Sequence, residues 1–175
     1  MKASVFIATS LDGFIARRDG GIDWLPEPEL EGEDYGFGKF FETVDYLVMG
    51  RNSFEKVMTL GGWFYGTTPV VVLTHRSLDI PEGLSSPVVT LSGSPAAVVA
   101  ELESRGAKHL YIDGGKTVQA FLDAGLIQRI IITRIPVLLG DGIPLFGPLQ
   151  EDIKLRHVGT RSFDDGLVQS EYEIV

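Results

Sequence analysis

Short apolar runs alternate with amphipathic segments along most of the chain, and this alternation predicts a mostly parallel sheet covered by helices. Runs typical of buried strands are residues 4–8, 14–16, 45–49, 70–73, 88–91, 109–112 and 129–135. Predicted helices are residues 33–44, a segment from residue 52, and residues 95–104 and 116–123. Parallel neighbours need long crossover connections, usually helical, so the sequence favours an α/β fold with helices on both faces of the sheet.

The C-terminal end of the chain has a different pattern. Residues 154–163 and 167–174 flank Asp164, Asp165 and Gly166, a combination typical of a hairpin turn. We therefore expect a C-terminal antiparallel hairpin that completes the sheet. Glycine and proline are scattered and no linker divides the chain, so the sequence predicts a single domain over residues 1–175.

Composition narrows the function classes. The chain has 175 residues, a net charge of −9, and 22% charged against 44% hydrophobic residues. This balance disfavours intrinsic disorder and a basic nucleic-acid-binding face. Cysteine is absent, which excludes disulfides and thiolate metal sites, and no apolar run approaches the roughly 18 residues of a membrane span. We therefore expect a soluble cytoplasmic protein with no nucleic-acid or membrane partner.

Motifs for hydrolytic and metal chemistry are missing from the sequence. His75, His109 and His157 are far apart, without the spacing of metal ligands. The sequence contains neither H-E-x-x-H nor the G-x-S-x-G nucleophile elbow. We therefore expect no bound metal and neither a metallohydrolase nor a serine hydrolase.

The first candidate binding residues lie where a predicted strand turns directly into a helix. Gly50, Arg51, Asn52 and Ser53 follow an apolar strand and place a cation and small polar side chains at the start of the helix. Helix N-termini offer free N–H groups and a positive dipole to anions, so this junction is a candidate phosphate seat. The alternative is a helix cap, in which Asn52 and Glu55 form a pair like a capping box.

The second junction carries a hydroxyl and a guanidinium after a run of valines. Thr74 and Arg76 follow the strand at residues 70–73. Sites for NADP bind its 2′-phosphate with arginine, whereas sites for NAD place a carboxylate near the ribose, so Arg51 and Arg76 favour NADP. The alternative is an ordinary solvated loop.

The third junction contains a pair of glycines between a strand and a helix. Gly114 and Gly115 would let the backbone approach a ligand closely, and Lys116 and Thr117 begin the helix that follows. The spacing matches neither G-x-G-x-x-G nor a Walker A loop.

Taken in order, these segments resemble the dihydrofolate reductase superfamily. Residues 8–16 are similar to its first strand and loop, residues 49–55 to its Gly-Arg helix start, and residues 113–115 to its Gly-Gly turn. Residues 135–146 resemble the branch that contains the reductase domain of the riboflavin-biosynthesis deaminase/reductase, the RibD C-terminal domain. The resemblance implies a three-layer dihydrofolate-reductase-like fold and hydride transfer from NADPH.

The resemblance also implies roles for individual residues. Ala8 and Ile15 match positions that contact the nicotinamide. Residues that match the adenosine-phosphate, 2′-phosphate and pyrophosphate positions are Gly50, Arg51, Asn52, Ser53, Thr74, Arg76, Gly114, Gly115, Lys116, Thr117 and Val118.

For the substrate, the resemblance points to one carboxylate and one tryptophan. Asp34 falls at the position where folate reductases hold the pterin ring and assist its protonation, and Trp24 is similar to the tryptophan before that helix. The alternative is that Asp34 caps the helix. Gly38 departs from the folate enzymes, which usually carry a large apolar residue there, and the glycine-rich loop at residues 140–142 belongs to the riboflavin branch.

The sequence is therefore consistent with two functions. The first is an NADPH-dependent reductase of a small nitrogen heterocycle, either a dihydropterin such as dihydrofolate or a ribosylaminopyrimidine of the riboflavin pathway. A phosphorylated substrate would need cations, for which Arg17, Arg18 and Lys39 are the candidates. The second is a catalytically silent nucleotide-binding protein that keeps the fold. We also expect a homodimer, with residues 130–132 or the C-terminal hairpin as contact surfaces; the alternative is that both segments belong to the core.

Overall fold

The computed structural model describes residues 1–26 and 34–175, and these residues form a central sheet with helices on both faces. The strands are β1 (Lys2–Ser10), β2 (Phe14–Ala16), β3 (Tyr46–Gly50), β4 (Val70–Leu73), β5 (Val88–Leu91), β6 (His109–Asp113), β7 (Arg129–Ile135), β8 (Ile143–Pro144), β9 (Leu155–Ser162) and β10 (Val168–Ile174). The helices are α1 (Phe37–Phe41), α2 (Arg51–Met58), α3 (Pro95–Ser104) and α4 (Gly115–Asp123).

The sheet has the strand order β5-β4-β3-β6-β1-β7-β10-β9. The first six strands in this order, from β5 across to β7, are parallel to one another. Strand β10 is antiparallel to β7, and β9 is antiparallel to β10. The predicted mostly parallel sheet and C-terminal hairpin are thus confirmed. Because the parallel strands all end at one edge of the sheet, the segments after β1, β3, β4 and β6 meet there, and we call this the ligand edge.

Burial explains why the central strands are continuous apolar runs. Val70, Val71 and Val72 of β4 are fully buried because both faces of the sheet are covered. One face packs around Phe40, Phe54 and other residues of α1 and α2. The opposite face packs against α3 and α4. Among the described residues, no helix is long and apolar enough to cross a membrane.

Helix α1 is shorter than the predicted helix at residues 33–44. Residue 33 lies outside the described residues, and Tyr35 and Gly36 adopt left-handed backbone conformations with φ of 56° and 83°. A right-handed helix cannot pass through two such residues, so α1 begins at Phe37. Strand β8 was not predicted, because two residues ending in proline carry no strand periodicity.

Residues 130–132 belong to the core, which was the alternative to a contact surface for a dimer. Ile130, Ile131 and Ile132 are only 2%, 4% and 8% exposed. Strand β9, by contrast, is an exposed edge strand. The hairpin therefore remains the candidate surface, and the homodimer remains a prediction.

Candidate active site

Two helices begin side by side at the ligand edge. Gly50 precedes α2, Gly114 precedes α4, and glycine is needed at both positions because the two helix starts approach each other closely. A Cβ atom on Gly114 would overlap the Ser53 hydroxyl, and one on Gly50 would lie 3.2 Å from Oγ1 of Thr117. Gly114 also has a φ of +86°, which only glycine adopts readily. The first and third junctions of the sequence are thus brought together.

The N-termini of α2 and α4 have free N–H groups. Neither helix has a side-chain cap or an acidic residue in its first turn. Helix α3 differs, because the Ser94 side chain accepts a hydrogen bond from Ala97 N. Uncapped N–H groups and two helix dipoles at one point favour an anion. The paired starts of α2 and α4, residues 50–53 and 114–117, are therefore a candidate anion site, which we call the anion seat.

Individual residues contribute differently to this seat. Asn52 and Lys116 are exposed in the first turns of their helices. Thr117 is 7% exposed and Val118 is fully buried. The Val118 N–H donates to the carbonyl of Gly114 at 2.9 Å, so Val118 stabilises the first turn of α4.

Arg51 connects the anion seat to the second junction. Its Nη1 donates to the Ser77 carbonyl at 2.9 Å and its Nε to Glu55 at 2.6 Å. The turn after β4 is closed by the Thr74 hydroxyl, which accepts a hydrogen bond from the backbone N–H of the exposed Arg76 at 3.1 Å. The structure therefore places the three residues predicted for a 2′-phosphate in adjoining segments.

The segment after β1 joins the seat to a large cavity. A Cβ atom on Gly115 would lie 3.2 Å from Cδ1 of Ile15, so β2 packs against the start of α4. Ala8 lines the cavity. The Asp12 carboxylate accepts hydrogen bonds from the Ser10 hydroxyl at 2.6 Å and from Gly140 N at 2.7 Å, and these bonds lower its pKa. Asp12 thereby fastens this turn to the segment that follows β7.

The cavity has a volume of about 1080 Å³ and lies on the face of the sheet covered by α1. Its floor is apolar and aromatic, and its rim is acidic. Described lining residues are Phe6, Ile7, Ala8, Leu25, Pro26, Asp34, Tyr35, Phe37, Tyr111, Thr133, Ile135, Ser162, Phe163, Asp164, Asp165 and Leu167. An apolar floor with a few polar groups at the rim is typical of a site for a small organic ligand.

Asp34 lines this cavity and also caps the start of α1. Its two carboxylate oxygens accept hydrogen bonds from Gly36 N at 2.7 Å and Gly38 N at 2.9 Å. The capping alternative is therefore realised, yet a carboxylate has about four lone-pair sites, so each oxygen can still accept a ligand donor. A Cβ atom at position 38 would lie 2.8 Å from Oδ2, which explains why glycine stands there. The substrate role of Asp34 remains a prediction.

Trp24 is not among the described residues that line the cavity. Its indole Nε1 is buried and has no hydrogen-bond acceptor within residues 1–26 and 34–175. The tryptophan is partly buried, whereas its neighbours Leu25 and Pro26 line the cavity. Its substrate role also remains a prediction.

Asp113 lies next to the anion seat, and the sequence analysis assigned it no role of its own. It ends β6 immediately before Gly114, and one carboxylate oxygen lies 3.4 Å from the hydroxyl of Tyr111, which donates to the Phe6 carbonyl at 2.7 Å. Burial raises the pKa of Asp113 to about 6. A carboxylate at the end of an otherwise apolar strand, next to two glycines, was the available indication.

Asp113→Asn is expected to stabilise the protein at neutral pH. The folded-state pKa of about 6 is above the ordinary value of 3.8, so the stability present below pH 3.8 is lost as the pH rises through 6. A shift of this size corresponds to at most about 3 kcal/mol. Denaturant unfolding should show the variant more stable than the parent at neutral pH and equal to it in acid. If the free energy of unfolding of both proteins changed with pH in the same way, Asp113 would not be a buried, ionised carboxylate at neutral pH.

Comparison with known proteins shows what this arrangement is similar to. The profile of the RibD C-terminal domain matches residues 2–169. A solved structure of a putative riboflavin biosynthesis protein from Shewanella sp. PV-4 is 39% identical, with a TM-score of 0.91 over 100% of this chain and 99% of that one.

Two dihydrofolate reductases are also similar. Dihydrofolate reductase HdrB of Haloferax volcanii is 33% identical over 70% of this chain and 62% of its own length. The structure of dihydrofolate reductase from Enterococcus faecalis, complexed with NADP(H), is 16% identical with a TM-score of 0.65, covering 99% of this chain and 96% of that one. The last likeness confirms the predicted dihydrofolate-reductase-like fold.

Proposed function

The chain belongs to the RibD C-terminal domain family, and from that premise we propose that it is a reductase that transfers hydride from NADPH to a small nitrogen heterocycle. One observation carries the proposal: the anion seat and the cavity are joined by the turn that follows β1. A long cofactor can therefore bind with its phosphates on the helix starts and its reactive ring beside Ala8. The Enterococcus relative of the same fold is a reductase complexed with NADP(H).

Different groups of residues bind the pyrophosphate, the 2′-phosphate and the nicotinamide of NADPH. The N–H groups at the starts of α2 and α4 receive the pyrophosphate, with Lys116 as a cation beside them. Arg51, Thr74 and Arg76 receive the 2′-phosphate. Ala8 and Ile15 border the space for the nicotinamide.

The cavity receives the acceptor ring. NADPH supplies the hydride when it is bound, and the protein orients the acceptor and keeps water away from it. Phe6, Phe37 and Tyr111 form the apolar floor. Asp34 accepts hydrogen bonds from ring N–H groups and assists delivery of the proton that accompanies the hydride.

The direct test is NADPH oxidation, followed by absorbance, with dihydrofolate and, separately, with the ribosylaminopyrimidine of the riboflavin pathway. Oxidation that depends on either acceptor supports the reductase. Tight NADPH binding without oxidation by any reducible heterocycle would support a silent nucleotide-binding protein instead.

Arg76→Ala is expected to weaken NADPH binding and to leave NADH binding nearly unchanged. A charge-assisted hydrogen bond to the 2′-phosphate contributes about 1.5–3 kcal/mol, which corresponds to roughly a tenfold to 150-fold change in Kd. Fluorescence titration of both cofactors at fixed ionic strength measures this difference.

Arg105→Ala is the matched control for Arg76→Ala. Arg105 pairs with Glu101 at the end of α3, outside the residues assigned to the cofactor. Equal Kd values for NADPH and NADH in the parent protein would remove the phosphate role from Arg51 and Arg76.

A further inference from the structure

The rim of the cavity is acidic. Asp34, Asp164 and Asp165, which we call the acidic rim, are all exposed and all line the cavity. The described lining contains no lysine, arginine or histidine. An anionic group that enters the cavity would therefore approach three carboxylates and no cation among the described lining residues.

The cations considered for a phosphorylated substrate are placed elsewhere. Arg17 is paired with Asp23 at 2.7 Å, and Arg18 is paired with Asp141. Lys39 is exposed on α1 and does not line the cavity. These three residues therefore do not provide a phosphate site within the cavity.

Arg161 is the basic residue closest in sequence to the acidic rim; it is exposed and is not among the described lining residues. It donates to Gln169 at 2.8 and 3.0 Å and to the Tyr35 carbonyl at 2.6 Å. It also lies over the Phe163 ring, 5.0 Å from the ring centroid. These contacts hold the Nε and Nη2 groups of Arg161 on neutral acceptors beside Tyr35 and Phe163, which line the cavity, so its positive charge offsets part of the negative charge of the acidic rim.

We propose that the acidic rim restricts the acceptor to an uncharged or cationic heterocycle, rich in hydrogen-bond donors and without a phosphate or carboxylate. This inference rests on the proposed function, because it takes the cavity to be the acceptor site. Like charges at close range oppose binding of the wrong ligand, whereas carboxylate oxygens accept hydrogen bonds from ring N–H and amino groups. The rim is exposed, so its effect weakens as salt increases.

The test compares two matched ligand pairs with the protein saturated with NADP⁺. One pair is dihydropterin and the same ring carrying a carboxylate. The other is the ribosylaminopyrimidine and its phosphate ester. Calorimetry should give a Kd at least about tenfold lower for the member of each pair without the anionic group, and the difference should shrink at high salt.

Asp164→Lys is the diagnostic variant, and Asp152→Lys is its control. Both aspartates are exposed, but Asp152 lies outside the cavity lining. We expect the first variant to reduce the difference within each pair severalfold and the second to leave it unchanged. The proposal is overturned if the anionic members bind as tightly as their partners, if neither member of either pair binds, or if Asp164→Lys changes nothing. NADPH oxidation by an anionic member would overturn the restriction while leaving the reductase intact.

Discussion

Replacing Gly115 with valine is expected to lower the melting temperature and to abolish NADPH binding together. A Cβ atom on Gly115 would lie 2.8 Å from the carbonyl oxygen of Pro144 and 3.2 Å from the Ile15 side chain. The carbonyl belongs to the backbone and cannot move without disturbing β8. Overpacking of this kind costs about 1–3 kcal/mol, and a protein of this size loses about 2–4 °C of melting temperature per kcal/mol.

Loss of binding follows because Gly115 begins α4, whose N–H groups form half of the anion seat. Displacing that helix start should raise the Kd for NADPH by at least about a hundredfold, since both the hydrogen bonds and the dipole lose their alignment. Gly159→Val is the matched control, because a Cβ atom there meets nothing within 4 Å. Thermal unfolding and cofactor titration of both variants measure the two effects.

The paired readouts distinguish two roles for Gly115. If Gly115 only lets the backbone approach the pyrophosphate, valine blocks binding while the core stays folded; the contacts with Pro144 and Ile15 predict that the fold is destabilised as well. Lost binding at an unchanged melting temperature would assign Gly115 to the ligand alone. Normal binding and an unchanged melting temperature would contradict both roles.

The difference at Gly115 illustrates what the sequence could and could not predict. Apolar runs such as Val70–Leu73 identify the buried strands, and strand-to-helix junctions identify the anion seat, because both are local patterns. The contact of Gly115 with Pro144 depends on the pairing of β8 with β2, and a two-residue strand carries no periodic pattern. The position of a junction was therefore predictable, but its packing was not.

The electrostatic character of the cavity could not be predicted from the sequence either. Asp34 and Asp165 are far apart in the sequence, and only the fold brings them to one rim. The pKa of Asp113 is raised by burial, and burial at this position depends on how the surrounding elements pack in the fold. Long-range contacts of this kind set both specificity and proton affinity, so neither could be derived from spacing along the chain.

Asp34→Asn is expected to reduce the rate of hydride transfer by about 10²–10⁴-fold, the usual size of a general acid/base contribution. The carboxylate lines the cavity, and the backbone N–H groups of Gly36 and Gly38 hold its oxygens in place. An asparagine has only one acceptor oxygen, so it cannot cap both N–H groups and also accept two donors from the ring. NADPH affinity should stay nearly unchanged, because Asp34 is remote from the anion seat.

Single-turnover oxidation of bound NADPH, with whichever acceptor proves active, measures this effect directly. Asp45→Asn is the matched control, since Asp45 also accepts two backbone N–H bonds, from Lys108 and His109, but lies at the opposite edge of the sheet. If Asp34 only caps α1, both variants should keep a rate within about threefold of the parent, well short of the acid/base range, even though Asp34→Asn also loses one backbone hydrogen bond. A large loss of rate confined to Asp34→Asn would instead identify the carboxylate that holds and helps protonate the acceptor, because a lost backbone bond at α1 lowers stability and leaves the rate of the folded protein nearly unchanged.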